Sequence, residues 1–138
     1  MTKEELKNRT KHFALRIIKL VDELPNTKAG NTTGNQIVRA GTSVGANYRS
    51  ACRARSNADF ISKITIVEEE CDETSFWLEL IEESKLMKKE KLTELLKEAN
   101  ELTAILQHRE KQPDNQILNI KFEIPNNYEN CGLRIADY

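Results

Sequence analysis

Cysteine, proline and glycine are all scarce in this chain, at three, three and five among 138 residues. The cysteines (Cys52, Cys71 and Cys131) are odd in number and widely spaced, which excludes both a disulfide framework and a zinc-ligand pattern. Two of them fall on apolar helical stripes, where a reduced, buried thiol acts as a small hydrophobe. Long apolar runs are missing too: nothing approaches the roughly 18 residues a membrane span needs. The opening MTKEELKNRTKHF lacks the apolar stretch of a signal peptide, so the expected location is cytoplasmic, with no membrane contact.

What is present favours helices. Glu, Lys and Leu are abundant, charged residues make up 31% of the chain, and so few breakers leave long segments uninterrupted. The length fits one domain with a real core. The net charge of −1 hides an uneven distribution. Residues 1–55 carry eleven Lys/Arg against four Asp/Glu, and residues 56–90 carry four against ten. Such a division suits either a basic helix packed on an acidic one or an exposed basic face meant for a polyanion.

The spacing predicts four amphipathic helices. The first begins near Lys3 behind a Thr2/Glu5 capping box, carries Leu6, Phe13, Ile17, Leu20, Val21 and Leu24, and ends at Pro25. A loop of turn formers, Asn26 to Gly34, is expected to follow. The second helix runs from about Thr33 to Arg55 with Ile37, Gly41, Val44, Tyr48 and Cys52 on one side. A corner at Arg53–Asp59, with Ser56 and Asp59 placed as a capping pair, leads to a third helix over about 57–86. Its stripe is Phe60, Ile64, Val67, Cys71, Leu78 and Ile81, interrupted by Thr74. The fourth carries Leu92, Leu95, Leu96, Ala99, Leu102, Ile105 and Leu106 and closes at Pro113. Short links make an all-α, antiparallel up-down four-helix bundle the simplest fold, with residues 1–115 as its domain. Residues 116–138 form a non-helical C-terminal extension. Ile120, Phe122 and Ile124 alternate like a short strand that packs along the bundle, docks on a neighbouring subunit or stays disordered.

Constellations for catalysis or metal binding do not assemble. Di-iron bundles need Glu-x-x-His on two helices, whereas His12 follows Arg9 and His108 follows Ile105 at that spacing. Ser43, Ser50 and Ser56 have no nucleophile-elbow context, and AGNTTG lacks the Gly-Lys-Ser/Thr of a phosphate loop, leaving its glycines to turn chemistry. The run Glu68-Glu69-Glu70 with Asp72 and Glu73 lacks the spacing and glycine of a calcium loop. A non-enzymatic protein without metal or cofactor is expected.

Two other sets stand out. Arg49 and Arg53 lie one turn apart, Arg55 follows at the corner and Lys63 comes early in the third helix. Clustered arginines can neutralise phosphates, or they can pair with the third-helix glutamates. Gly41 and Gly45 sit inside a helix, where each costs about 1 kcal/mol relative to alanine. With Tyr48 they mark a close approach, either to another helix of the bundle or to a neighbouring subunit.

Phe13-Ala14-Leu15-Arg16 leading to Asp22-Glu23-Leu24-Pro25, then Gln36-Ile37-Val38-Arg39-Ala40-Gly41-Thr42-Ser43-Val44-Gly45-Ala46-Asn47, then Arg55-Ser56-Asn57-Ala58-Asp59-Phe60 resembles the proteins encoded in intervening sequences of 23S ribosomal RNA genes. The resemblance covers about residues 3–112. It implies a four-helix bundle assembled as a ring, typically a homopentamer. The related accessory variability determinant of diversity-generating retroelements uses a basic surface to contact nucleic acid and a reverse transcriptase. This chain departs from the commoner pattern where Asn47-Tyr48-Arg49-Ser50-Ala51 replaces Asn-Ile-Ala-Glu-Gly. The expected function is a self-associating bundle that offers Arg49, Arg53, Arg55 and Lys63 to RNA or a nucleoprotein. The alternative is a purely structural or protein-interaction module.

Overall fold

Thr2 opens the first helix by both halves of the capping box. Its hydroxyl accepts from the Glu5 N–H at 3.1 Å, and the Glu5 carboxylate accepts from the Thr2 N–H at 2.6 Å. In this computed structural model, which describes residues 1–112, four helices follow in order: α1 (Lys3–Asp22), α2 (Lys28–Ala51), α3 (Asn57–Glu83) and α4 (Lys89–Glu110). The expectations for the extension and for the last residues of the 1–115 domain lie outside the described residues.

Consecutive helices run antiparallel and pack along their lengths, α1 on α2, α2 on α3 and α3 on α4, whereas α1 meets α4 over a shorter stretch. The core follows the predicted stripes, with Val21, Leu24 and Leu96 only partly buried against it. Leu6, Phe13, Ile17, Ile37, Val44, Tyr48, Ile64, Val67, Leu78, Ile81, Leu92, Leu102 and Leu106 are essentially inaccessible to solvent. Burying each of the aliphatic and phenylalanine side chains contributes about 1.5–3 kcal/mol. Thr74, the polar break in the third stripe, is buried all the same because its hydroxyl donates to the Glu70 carbonyl one turn back. Cys71 is buried, and its thiol donates to the Ala99 carbonyl; burial pushes its pKa up to about 12. Cys52 is half-buried, and Ala51 takes the core position that the stripe assigned to it.

The second helix begins about a turn and a half earlier than its sequence suggests. Asn26–Gly34 reads as a loop, yet Thr27 caps the helix by accepting from the Gly30 N–H at 3.1 Å, and residues from Lys28 onward are helical. The turn-forming residues are reconciled by their faces. Asn31, Thr32 and Asn35 point to solvent, while Gly30 and Gly34 are buried. A side chain at Gly30 would overlap the carbonyl oxygen of Pro25, so this glycine serves close packing and not the turn chemistry assigned to it.

The third helix stops at Glu83, slightly short of the expected 86. Lys85 adopts a left-handed conformation at φ 58°, and the Leu86 N–H closes back on the Ile81 carbonyl at 3.2 Å. Lys88 then occupies the N-cap of α4 without a side-chain capping bond.

Candidate functional site

The corner between α2 and α3 is built by alternation. Cys52 and Ala54 pack against the core, which turns their neighbours Arg53 and Arg55 outward. The Arg53 N–H donates to the Ser50 carbonyl and the Ala54 N–H to Ala51, both at 3.0 Å, so α2 unwinds through a tightened last turn. Ser56 caps α3 by accepting from the Asp59 N–H at 3.1 Å. Asp59 completes a variant of the capping box, reaching one residue further back than usual to accept from the Arg55 N–H at 3.1 Å. That bond and the Lys63 ammonium, also at 3.1 Å, hold the Asp59 carboxyl below the usual carboxylate range.

All four predicted basic residues come together here. Arg49, Arg53, Arg55 and Lys63 line one open depression with Ser50 and Asp59. Lys63 is committed to Asp59, whereas Arg49, Arg53 and Arg55 are exposed and make no ion pair among the described residues. Arg49 and Arg53 also sit at the C-terminal end of α2, where the helix dipole favours cations.

Three of the third-helix glutamates, Glu68, Glu70 and Glu73, are occupied elsewhere. Arg39 takes Glu70 and Glu73 in a bridge between α2 and α3. Hydrogen bonding to Arg39 lowers the Glu73 pKa, and the Trp77 indole N–H donates to the same carboxylate at 3.3 Å. Glu68 accepts from Gln107 of α4 at 2.8 Å. The acidic helix therefore binds its neighbours without covering the corner arginines.

Gly41, Gly45 and Tyr48 lie inside the chain's own packing. A side chain at Gly41 would press on Ile17 of α1, one at Gly45 would approach the backbone of Thr10, and Tyr48 is fully buried. Two features were not singled out from the sequence. Arg9 of α1 donates to both carboxylate oxygens of Glu98 and to Glu101 on α4, at 2.6–3.0 Å. Its signal was faint: Glu98 and Glu101 sit three apart, on the edge of the α4 stripe. Arg109 is buried and donates to the Met1 carbonyl at 2.7 Å, tying α4 to the chain start. No group of three or more His, Cys, Asp or Glu residues that could hold a metal ion occurs among the described residues. None of the described helices is long and apolar enough to cross a membrane.

Comparison with known proteins bears on this geometry. A model of the 23S rRNA-intervening sequence protein family matches residues 2–108. A crystal structure from Bacteroides thetaiotaomicron, described as a protein with unknown function from the S23 ribosomal protein family, is similar at 35% identity and a TM-score of 0.75. The similarity covers 81% of this chain and 100% of that one. No curated protein matches the chain.

Proposed function

We propose that this chain, which belongs to the 23S rRNA-intervening sequence protein family, is a non-enzymatic, self-associating cytoplasmic bundle that binds structured RNA, alone or within a nucleoprotein, through the α2–α3 corner. The observation that carries the reading is the set Arg49, Arg53 and Arg55. Three exposed guanidinium groups share one depression, and the nearest acidic helix directs Glu70 and Glu73 to Arg39 instead. Maintaining like charges together is unfavourable unless a polyanion relieves it, and guanidinium groups suit bidentate contact with phosphate. Self-association draws on other residues. Leu15 and Ile18 are exposed on α1, and Ile66 and Phe76 on α3, two helices that do not pack along each other. Contact between two different faces propagates head to tail and closes into a ring when the rotation permits. The homopentamer implied by the resemblance is such a ring.

The test is RNA binding by the purified chain at several salt concentrations, beside a variant with Arg49, Arg53 and Arg55 all changed to Ala. Affinity that falls with salt in the wild type and is lost in the variant supports the reading. Binding indifferent to both overturns it. A second reading is an assembly module in which the arginines make contacts between copies. It is favoured by the same apolar faces, and it expects the triple variant to sediment as monomers.

A further inference from the structure

The corner depression continues past α2. Ala46 and Arg49 also border a second depression, whose far side is formed by Glu4, Lys7, Asn8 and Lys11 of α1. We infer that the two form one track for the sugar–phosphate backbone of paired RNA, running from Lys11 and Asn8 over Ala46 to Arg49, Arg53 and Arg55. This rests on the RNA-binding reading above and names the form of RNA and the α1 residues that take part.

Charge and side-chain chemistry agree. Six cations border the track, but Lys7 is held by Glu4 at 3.0 Å and Lys63 by Asp59 at 3.1 Å. Lys11, Arg49, Arg53 and Arg55 make no ion pair among the described residues, which leaves four available charges. Ala46, exposed and small, leaves the ground between Lys11 and Arg49 clear.

No aromatic side chain lines either depression among the described residues. Single strands are usually gripped by stacking their bases on aromatic rings, whereas a paired RNA is read by shape, phosphate and 2′-hydroxyl. Asn8 and Ser50 are exposed and their side chains make no hydrogen bond among the described residues. Each can both donate and accept, as the 2′-hydroxyl does.

The experiment is fluorescence anisotropy with the full chain and three probes: an RNA hairpin with a stem of about 16 base pairs, a DNA duplex of the same sequence, and a single-stranded oligouridine. Variants are Lys11→Glu, Ala46→Leu, Asn8→Ala with Ser50→Ala, and Lys28→Glu as an equal charge change at the other end of α2. All are exposed helix positions, and circular dichroism verifies folding. The stem binds tightest, with log affinity falling against log salt at a slope of about −3 to −4. Lys11→Glu weakens it about tenfold and flattens the slope by about one. Ala46→Leu also weakens it, Lys28→Glu changes it less than about twofold, and the Asn8/Ser50 variant loses preference for RNA over DNA. Oligouridine binding more tightly than the stem overturns the inference. So does a Lys11→Glu effect no larger than that of Lys28→Glu; if the arginine variant still abolishes binding, the proposed function survives and only the track falls. A wild-type chain that binds none of the probes refutes the proposed function itself, and the track with it.

Discussion

Replacing Arg9 by Met tests what closes the α1–α4 side of the bundle. These two helices meet over a shorter stretch than the other neighbours, and Arg9 spans them with three hydrogen bonds to Glu98 and Glu101. The carboxylate side chains are 5% and 8% exposed, against 24% for Arg9. Burial alone lowers the Arg9 pKa, but the hydrogen bonds and charges of Glu98 and Glu101 outweigh it, and the net shift is upward. Removing the guanidinium leaves two carboxylates side by side with little water. Breaking a buried ion pair in this way costs about 3–5 kcal/mol, and the partial exposure of Arg9 places the loss near 3. In a domain of this size that lowers Tm by about 10 °C. Glu98→Gln with Glu101→Leu in the Arg9→Met background removes the charges and restores most of the loss. Urea unfolding at neutral pH measures all of this. A loss below about 1 kcal/mol would show the triad to be solvated like a surface pair, and the latch would be refuted.

Other substitutions follow from single contacts. Gly41→Ala places a methyl 2.8 Å from Ile17 Cγ1 and 2.9 Å from Cγ2. Overpacking of about 1–3 kcal/mol outweighs a helix-propensity gain of about 1, so a net loss is expected, with favourable coupling to Ile17→Ala in a double-mutant cycle. Gly30→Ala meets the immovable carbonyl of Pro25 and costs more than Gly41→Ala in the same urea titrations. Lys85→Gly relieves the left-handed backbone at φ 58° and raises the unfolding free energy by about 1 kcal/mol; no gain would mean that the turn relaxes in solution. Glu68 is an acid whose pKa is raised, first by burial and then by the Glu110 carboxyl beside it. The folded state therefore keeps a proton that the unfolded chain has lost, and stability falls as pH rises through the interval above the usual value of about 4.3. Glu68→Gln should accordingly stabilise the protein at neutral pH and have little effect below that interval; a loss at neutral pH would reverse the sign of the reasoning.

The fold was legible because periodicity and capping agree: Thr2 with Glu5 and Ser56 with Asp59 mark two helix starts, and the stripes between them became the core. The start of α2 was obscured because glycine has one composition signal and two uses. Gly30 and Gly34 read as turn formers, and only the proximity of Pro25 and of Val21 and Leu24 reveals them as contact points. The fate of the arginines turns on register. A hairpin folded about Arg55 sets residues equally distant from the bend across from one another, which brings Glu70 and Glu73 to Arg39. By the same register the positions across from Arg49 are near Ile61 and Ser62, and those across from Arg53 are near Asn57 and Ala58. None carries a negative charge. The acidic run starts too far from the bend to reach the corner, and Asp59, the carboxylate that lines the corner depression among the described residues, is taken up by the Arg55 N–H and Lys63. Total charge averages over this separation and conceals it. Moving one glutamate nearer, as Ser62→Glu, should therefore quench the corner: RNA affinity would fall about as far as when Arg49 is removed, while the stability of the bundle stayed within about 0.5 kcal/mol.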